Sequence, residues 1–177
     1  RGHTDMIASS FLHLGVLIAI YSILTMSLNL AMGYTGLLHL GHVAFFGIGA
    51  YTSALLVNAG MPVAGGFLLA GGVAAFFGAV LVFATRKLKG DYLALATLGF
   101  TFVVYSLLLN MQNITNGPLG VKGIPKPELF SLTLTTPVAY FLFALAVALV
   151  TAVVLWLVTR SPFGRLLEAT RDDELGL

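Results

Sequence analysis

The chain has 177 residues, of which 58% are hydrophobic and only 9% are charged, and its formal net charge is +2. A soluble domain carries about 25% charged residues, so this composition excludes an ordinary water-soluble globular protein. The small net charge argues against a nucleic-acid partner, and the absence of cysteine excludes disulfide bonds and thiolate metal sites.

Three long stretches contain no Asp, Glu, Lys or Arg: residues 6–85, 92–121 and 129–159. A helix that crosses a bilayer needs roughly 20 mostly apolar residues, and a charge near the bilayer centre costs about 2.5–3.5 kcal/mol. These stretches therefore predict an all-α, polytopic integral membrane protein. Its five spans are expected at residues 6–32, 43–59, 63–85, 92–109 and 137–159.

Basic residues predict which side each loop faces. They cluster after the third span and after the fifth: Arg86, Lys87 and Lys89, then Arg160, Arg165 and Arg171. Two spans separate the clusters, so both are expected on one side, which the positive-inside rule assigns to the cytoplasm. The loop at residues 110–136 is then expected outside. Its turn-forming residues fit either an ordered excursion that meets an external partner or a passive connector.

The segment at residues 33–49 is rich in glycine, which should interrupt a membrane helix. Broken backbone at membrane depth persists only where it is buried in protein or lines a wet cavity, and it commonly lines transport paths. The pattern fits either a kinked or broken stretch packed inside the protein or an ordinary cytoplasmic turn. The candidate substrate-path residues in and before this segment are Asn29, Gly33, Thr35, Gly36, His39, Gly41 and His42.

The two histidines of this segment, His39 and His42, would share one face if the segment were helical. A metal site needs more than two ligands, and no Cys, Asp or Glu is near them. We therefore expect no metal site here, and the sequence indicates no cofactor.

The third span carries small residues at four-residue spacing, Gly71, Ala75 and Ala79. Small side chains on one helix face let two helix backbones approach closely. This face is therefore expected to pack against a neighbouring helix.

An amphipathic helix is predicted directly after the fifth span. Ser161 followed by Pro162 is typical of a helix start, because serine caps the first turn and proline fits its first position. The apolar residues beyond them share one face, and acidic residues end the segment. Since an acidic cluster does not bind an anionic membrane surface, the segment indicates either a protein partner or a solvated juxtamembrane helix.

The chain lacks the motifs of an enzyme. It has no Gly-x4-Gly-Lys-Ser/Thr phosphate-binding loop, no nucleophile elbow and no paired carboxylates within a span. The chain is therefore not expected to be an enzyme, and it cannot supply an ATPase site of this kind.

Four stretches, in order along the chain, resemble signatures of the branched-chain amino acid ABC transporter permeases. They are SLNLAMGYTGLLHLGHVAFFGIGAYTSALL at residues 27–56, GDYLALATLGF at 90–100, TNGPLGVKGIP at 115–125 and SPFGRLLEATRDDEL at 161–175. The likeness is closer to the LivM-type subunit of the family than to its LivH-type partner.

The resemblance implies a permease subunit of an ABC importer. Residues 1–177 would be the N-terminal part of one transmembrane permease domain, and residues 160–177 would begin its cytoplasmic coupling segment. The family permease is longer, so we expect a fragment. The subunit would be multi-pass in the bacterial plasma (inner) membrane and would form the translocation path for branched-chain or related small amino acids and amides.

The resemblance also implies the partners. These are a second permease subunit, cytoplasmic ATP-binding subunits that hydrolyse ATP, a periplasmic or extracellular substrate-binding protein, and membrane lipid; nucleic acid is not expected. The candidate residues for coupling to the ATPase are Phe163, Leu166, Leu167, Glu168, Arg171, Asp172 and Asp173.

The alternative function is an ion- or proton-coupled secondary transporter or channel that uses the glycine-rich segment. Such a carrier usually places an ionisable side chain within its spans. In this segment only His39 and His42 offer one, and both lie near a span boundary. A structural membrane scaffold is a third class, which the ordered signatures disfavour.

Overall fold

The computed structural model describes residues 2–125, 128–129, 132–133 and 136–172, and it is predominantly helical. The helices are α1 (Gly2–Asn29), α2 (His42–Asn58), α3 (Val63–Thr85), α4 (Asp91–Asn110), α5 (Gln112–Thr115), α6 (Pro137–Arg160) and α7 (Pro162–Asp172). A π-helical turn (Leu30–Tyr34) extends α1, and a 3-10 turn (Gly117–Leu119) follows α5. Two two-residue strands, β1 (Glu128–Leu129) and β2 (Leu132–Thr133), pair antiparallel.

Four of the described helices are long and apolar enough to cross a membrane. They are Ser9–Tyr34, Val63–Thr85, Asp91–Asn110 and Pro137–Arg160, and their lengths run from 20 to 26 residues. The second predicted span, residues 43–59, corresponds to α2, which has 17 residues and is therefore about 25 Å long. The prediction of an all-α, polytopic membrane protein is confirmed.

The chain forms two compact units. The first contains α1, the π-helical turn, α6 and α7, and the second contains the helices α2 to α5. In the first unit α1 packs against α6 at a glycine: a Cβ added to Gly15 would lie 2.6 Å from Cε2 of Phe141. Ala19 and Ala148 are also buried there, so small residues allow these two helices to approach closely.

In the second unit α2, α3 and α4 share an apolar core. Ala44 and Ile48 from α2 meet Val104 from α4, and residues of α3 pack against this cluster. The packed face of α3 carries small residues at four-residue spacing: Gly66, Ala70, Ala74 and Gly78. A Cβ at Gly66 would approach Val57 Cγ2 to 3.1 Å, so this glycine lets α3 lie against α2.

The face of α3 that the sequence favoured does not make this contact. Gly71, Ala75 and Ala79 are exposed, and a Cβ at Gly71 would meet nothing within 4 Å. Within the described residues, small-residue packing of α3 thus occurs at the Gly66 face, and packing of the Gly71 face stays a prediction. Helix α3 thus carries two rows of small residues, one that begins at Gly66 and one that contains Gly71. The positions of the large apolar residues on α2 and α4 determine that the Gly66 row is the one packed against them.

The loop after α4 is ordered over residues 111–125. Thr115 is only 2% exposed, and its hydroxyl donates a 2.6 Å hydrogen bond to the Leu108 carbonyl. Asn116 and Gly117 both have positive φ angles, which turn the chain back sharply. The Asn58 side chain then donates to the Lys122 carbonyl at 3.0 Å. The loop is therefore fastened to both α2 and α4, which fits the ordered excursion better than a passive connector.

Candidate functional site

The helical backbone breaks between α1 and α2. The π-helical turn ends at Tyr34, Gly36 adopts a positive φ of 68°, and helix resumes only at His42. The break predicted over residues 33–49 is confirmed as far as Gly41 and ends there. Gly47 and Gly49 lie inside the regular helix α2, because their neighbours Ala44 and Ile48 are buried in the core and hold that helix in place.

The first half of the break lies in the first unit. Asn29 ends α1, and its Oδ1 lies 2.6 Å from the position that a Cβ would take at Gly33. The Thr35 hydroxyl donates to the Ala31 carbonyl and accepts from the Leu37 N–H, while the Gly36 N–H donates to the Met32 carbonyl. Local side-chain and backbone bonds therefore replace the lost helical ones.

A small cleft of about 140 Å³ adjoins this half of the break. Asn29, Leu30 and Tyr34 line it from the end of α1 and the π-helical turn. Trp156 and Thr159 line it from α6. Of the candidate substrate-path residues, Asn29 is thus the one that faces this cleft.

The second half of the break is held against α4 in the second unit. The Leu40 N–H donates to Thr97 Oγ1 at 3.0 Å, and Thr101 Oγ1 donates to the Leu40 carbonyl at 3.0 Å. Thr97 is only 1% exposed. The N–H and C=O groups of Leu40, which lies in the break, are thus both bonded to side chains of α4. We call this arrangement the Leu40 clamp (Leu40, Thr97 and Thr101). Unsatisfied, each group would be costly in an apolar environment.

Gly41 permits the close approach that the clamp requires. A Cβ at this position would lie 3.3 Å from the Thr97 carbonyl oxygen and 2.9 Å from His39 Cε1. His39 Nδ1 accepts the Gly41 N–H at 3.2 Å, and its ring lies 5.9 Å from that of Phe45. His39 precedes the helix and His42 begins it, so the expectation of a shared helical face is wrong. The reason is that the chain turns between them.

The clamp also fixes the depth of the break. Thr97 lies six residues beyond Asp91, the charged first residue of α4, and Thr101 lies ten residues beyond it. At 1.5 Å per residue these positions are about 9 and 15 Å along the helix. Non-helical backbone at Leu40 and Gly41 therefore enters the apolar part of the span. Of the two interpretations left open by the sequence, this geometry favours the broken stretch in the membrane over the surface turn.

A second candidate region is the joint between α6 and α7. Ser161 Oγ accepts the N–H groups of Phe163 and Gly164 at 3.2 and 3.4 Å, and it donates to the Val158 carbonyl at 2.6 Å. The predicted serine cap before Pro162 is thus present. A Cβ at Gly164 would overlap the carbonyl group of Thr159. The joint is a tight, well-bonded turn that sets the direction of α7.

Helix α7 contacts both α6 and the π-helical turn Leu30–Tyr34. Phe163 and Leu166 are exposed, at 58% and 64%, whereas Leu167 is half-buried. Glu168 is exposed on the helix. Arg171 and Asp172 belong to the helix, but their side chains, like Asp173 and Glu174 altogether, lie outside the described residues.

Comparison with known proteins decides the family. Residues 10–176 match the family model of the branched-chain amino acid transport system permease component. The chain belongs to this family. It is 37% identical over 194 aligned positions to the high-affinity branched-chain amino acid transport system permease protein LivM of Escherichia coli (strain K12) and, equally, to that of Salmonella typhimurium (strain LT2).

These alignments cover 96% of this chain and 46% of each relative, so the chain spans about half the length of the curated relatives it matches. No solved structure matches the chain significantly. The family match and the apolar helices together identify a multi-pass protein of the inner membrane. The predicted family and localisation are confirmed.

Sequence reasoning missed three residues of this permease that the structure brings forward: Thr97, Thr101 and Gly164. A signal for the threonines exists, because they are four residues apart on one face of an otherwise apolar span and lie in or beside the resembling stretch at residues 90–100. Gly164 lies in the resembling stretch at residues 161–175, but nothing in the sequence shows why a glycine is needed there. Its φ is not in the left-handed region, and only the folded joint shows that a side chain there would strike Thr159.

Proposed function

We propose that the chain is part of the translocation path of an ATP-driven importer for branched-chain or related small amino acids and amides. Its family membership supports the class of transport, and both curated relatives are named as branched-chain amino acid permeases. The observation that carries the proposal is the Leu40 clamp. It stabilises non-helical backbone at membrane depth, which persists only where protein or water covers it.

We further propose that α7 couples this path to a separate ATPase subunit. Phe163 and Leu166 give α7 an exposed apolar face at the end of a span, and buried apolar anchors usually dominate an interface. The rim residue Glu168 and the neighbouring charges at 171–173 then set orientation and specificity more than affinity.

The contact between α7 and the π-helical turn supports a route from the ATPase to the path. Since the joint at Ser161 and Gly164 is tightly bonded, α7 has little freedom to swing independently of α6. A push on α7 is therefore transmitted to α6 and to the turn Leu30–Tyr34, where the first half of the break begins.

The remaining partners follow from the same family. A second permease subunit completes the path, and a substrate-binding protein delivers the amino acid on the outer side. With the predicted orientation, the ordered loop at residues 111–125 lies on the outer side, where this protein would dock.

The test is reconstitution of the full-length permease with its partner subunits in proteoliposomes. We expect ATP-dependent uptake of at least one of leucine, isoleucine and valine. Uptake without ATP that follows an ion gradient would overturn the proposal in favour of a secondary transporter.

Three alanine variants test the coupling helix. Phe163→Ala and Leu166→Ala remove exposed contact area and should weaken ATPase association about 10–100-fold with little change in permease stability. Leu167→Ala should chiefly lower permease stability, because Leu167 is half-buried. Normal ATPase co-purification and normal substrate-stimulated hydrolysis in both exposed-site variants would exclude α7 as the contact.

A further inference from the structure

His39 accepts a hydrogen bond inside the break, and this bond defines the protonation state of its ring. Its Nδ1 accepts the Gly41 N–H at 3.2 Å. A backbone N–H only donates, so Nδ1 must present a lone pair and the ring proton must lie on Nε2. Protonated histidine carries an N–H on both ring nitrogens and accepts through neither of them. The bond to Gly41 therefore exists only while His39 is neutral.

This bond holds the residue next to the Leu40 clamp. Gly41 follows Leu40 directly, and its own carbonyl accepts the Ala44 N–H at 3.1 Å in the first turn of α2. A Cβ at Gly41 would lie 3.3 Å from the Thr97 carbonyl oxygen and 2.9 Å from His39 Cε1. His39, Gly41 and Thr97 are thus packed together. Movement of the turn at Gly41 would therefore disturb the bonds of Leu40 to α4.

Aromatic contacts set the place of the imidazole ring. Its centroid lies 5.9 Å from that of Phe45, which in turn lies 5.4 Å from that of Phe100. Phe45 and Phe100 both pack against the apolar core of the second unit. A half-turn flip of the ring in this place would put a carbon, Cδ2, at the Gly41 N–H. The ring therefore offers that N–H no acceptor other than an unprotonated Nδ1.

The helices around His39 carry few other titratable side chains. Helix α3 has none, and those on α2 and α4 are His42, Tyr51, Asp91, Tyr92 and Tyr105. Histidine is the side chain whose charge ordinarily changes between about pH 5 and 8, so His42 has to be distinguished from His39 by experiment. Asp91 is the acid of this group and begins α4, about 9 Å along the helix from Thr97. His42 and Asp91 are therefore the two control positions.

The break lies nearer to the end of α4 that begins at Asp91. The helix has 20 residues and is therefore about 30 Å long, and Leu40 is bonded to it about 9–15 Å from this end. The predicted orientation places this end at the cytoplasmic side, where the basic residues 86–89 lie. The shorter route for a proton to His39 is therefore from the cytoplasm.

We propose that His39 is a positioning residue whose protonation from the cytoplasm opens the turn beside the Leu40 clamp and slows transport. The inference rests on the proposed function and adds a regulation of the same path by cytoplasmic pH. The proton adds to the Nδ1 lone pair, and the Gly41 N–H loses its acceptor. A polar group without a partner is unfavourable in an apolar environment, so the turn at Gly41 rearranges and the clamp is weakened.

Substitutions at position 39 separate the hydrogen bond from the charge. An asparagine side chain often accepts the backbone N–H two residues further along, and it does not titrate. His39→Asn therefore keeps an acceptor for the Gly41 N–H at every pH, whereas His39→Ala removes the acceptor at every pH. His39→Ser supplies a weaker acceptor of the same kind and takes the place of the asparagine variant if that variant does not assemble.

The experiment measures amino acid uptake by the full assembled transporter in proteoliposomes that contain ATP and have the ATPase side in the lumen. The lumen is buffered at about pH 7.5 or about pH 5.5, which bracket most of the usual range of histidine, and the outer buffer is constant. Wild-type uptake should fall about fivefold more at the lower pH than uptake by His39→Asn. His39→Ala should be slow at both pH values. His42→Gln and Asp91→Asn should keep the wild-type ratio between the two pH values, whatever their absolute rates.

The unfolding temperature of the purified transporter is a second readout that needs no substrate. It should fall more between the two pH values for the wild type than for His39→Asn. The inference is overturned if His39→Asn keeps the wild-type pH dependence of uptake, or if His42→Gln abolishes that dependence. If the wild-type transporter carries no branched-chain amino acid, the proposed function falls. In that case an equal pH dependence of the unfolding temperature in the wild type and His39→Asn would overturn the role of His39 as well.

Discussion

The backbone amide of Leu40 donates a 3.0 Å hydrogen bond to Thr97 Oγ1, although 57 residues separate the two in the chain. The same Oγ1 donates to the Ala94 carbonyl one turn earlier on α4, so the threonine remains a member of its own helix. This relationship converts a stretch of unpaired backbone, which a membrane would not tolerate, into a packed part of the second unit.

The first prediction concerns the clamp. Thr97→Val keeps the side-chain volume but leaves the Leu40 N–H without its partner, which should cost about 1–3 kcal/mol. We expect a lower unfolding temperature of the detergent-solubilised protein and reduced transport. Thr151→Val is the matched control, because among the described residues the Thr151 hydroxyl bonds only the Val147 carbonyl of its own helix. Equal effects of the two variants would contradict the role of the clamp.

The second prediction concerns Gly41. Even alanine there would press its Cβ against the Thr97 carbonyl and the His39 ring, and overpacking of this kind costs about 1–3 kcal/mol. Gly41→Ala should therefore destabilise the protein, and Gly41→Leu should destabilise it more. By contrast, Gly49→Ala should be neutral or stabilising by about 0.5–1 kcal/mol, since it replaces a mid-helix glycine with free space around it. Thermal unfolding of the three variants measures both signs.

The third prediction concerns the joint between α6 and α7. Gly164→Ala places a methyl group against the Thr159 carbonyl, so α7 must move away from its present direction. We expect ATPase co-purification and substrate-stimulated hydrolysis to fall while the permease remains in the membrane. Gly99→Ala, a helical glycine with nothing within 4 Å, serves as the control. If Gly164→Ala retained normal hydrolysis, the direction of α7 would be irrelevant to coupling.

The fourth prediction concerns orientation. The chain contains no cysteine, so single cysteines at Lys87, Lys122 and Arg165 can be probed one at a time with an impermeant thiol reagent. Only the cysteine at position 122 should react in intact cells, because the positive-inside rule places the other two in the cytoplasm. Reaction of the cysteine at position 165 from outside would reverse the orientation and remove α7 from reach of a cytoplasmic ATPase.

The sequence by itself determined where the long helices lie. A charge-free segment that crosses a membrane satisfies its backbone N–H and C=O groups by forming a helix. For this reason the expected third span, residues 63–85, coincides with α3 (Val63–Thr85). At the start of α7, Ser161 followed by Pro162 is a helix start signal that can be read from the sequence. The family resemblance was likewise visible, because the four motifs and their order can be read from the sequence alone.

Only the tertiary structure decided which polar and small residues meet. The extent of the break, the choice between the Gly66 and Gly71 faces of α3, and the partnership of Leu40 with Thr97 all depend on contacts between helices. Hydropathy distinguishes apolar residues from polar ones, but in a membrane span nearly every residue on every face is apolar. Hydropathy therefore does not show which face packs against another helix. Close packing and hydrogen bonds between distant segments select the face that packs. These contacts leave no repeating residue pattern in the sequence by which they could be predicted.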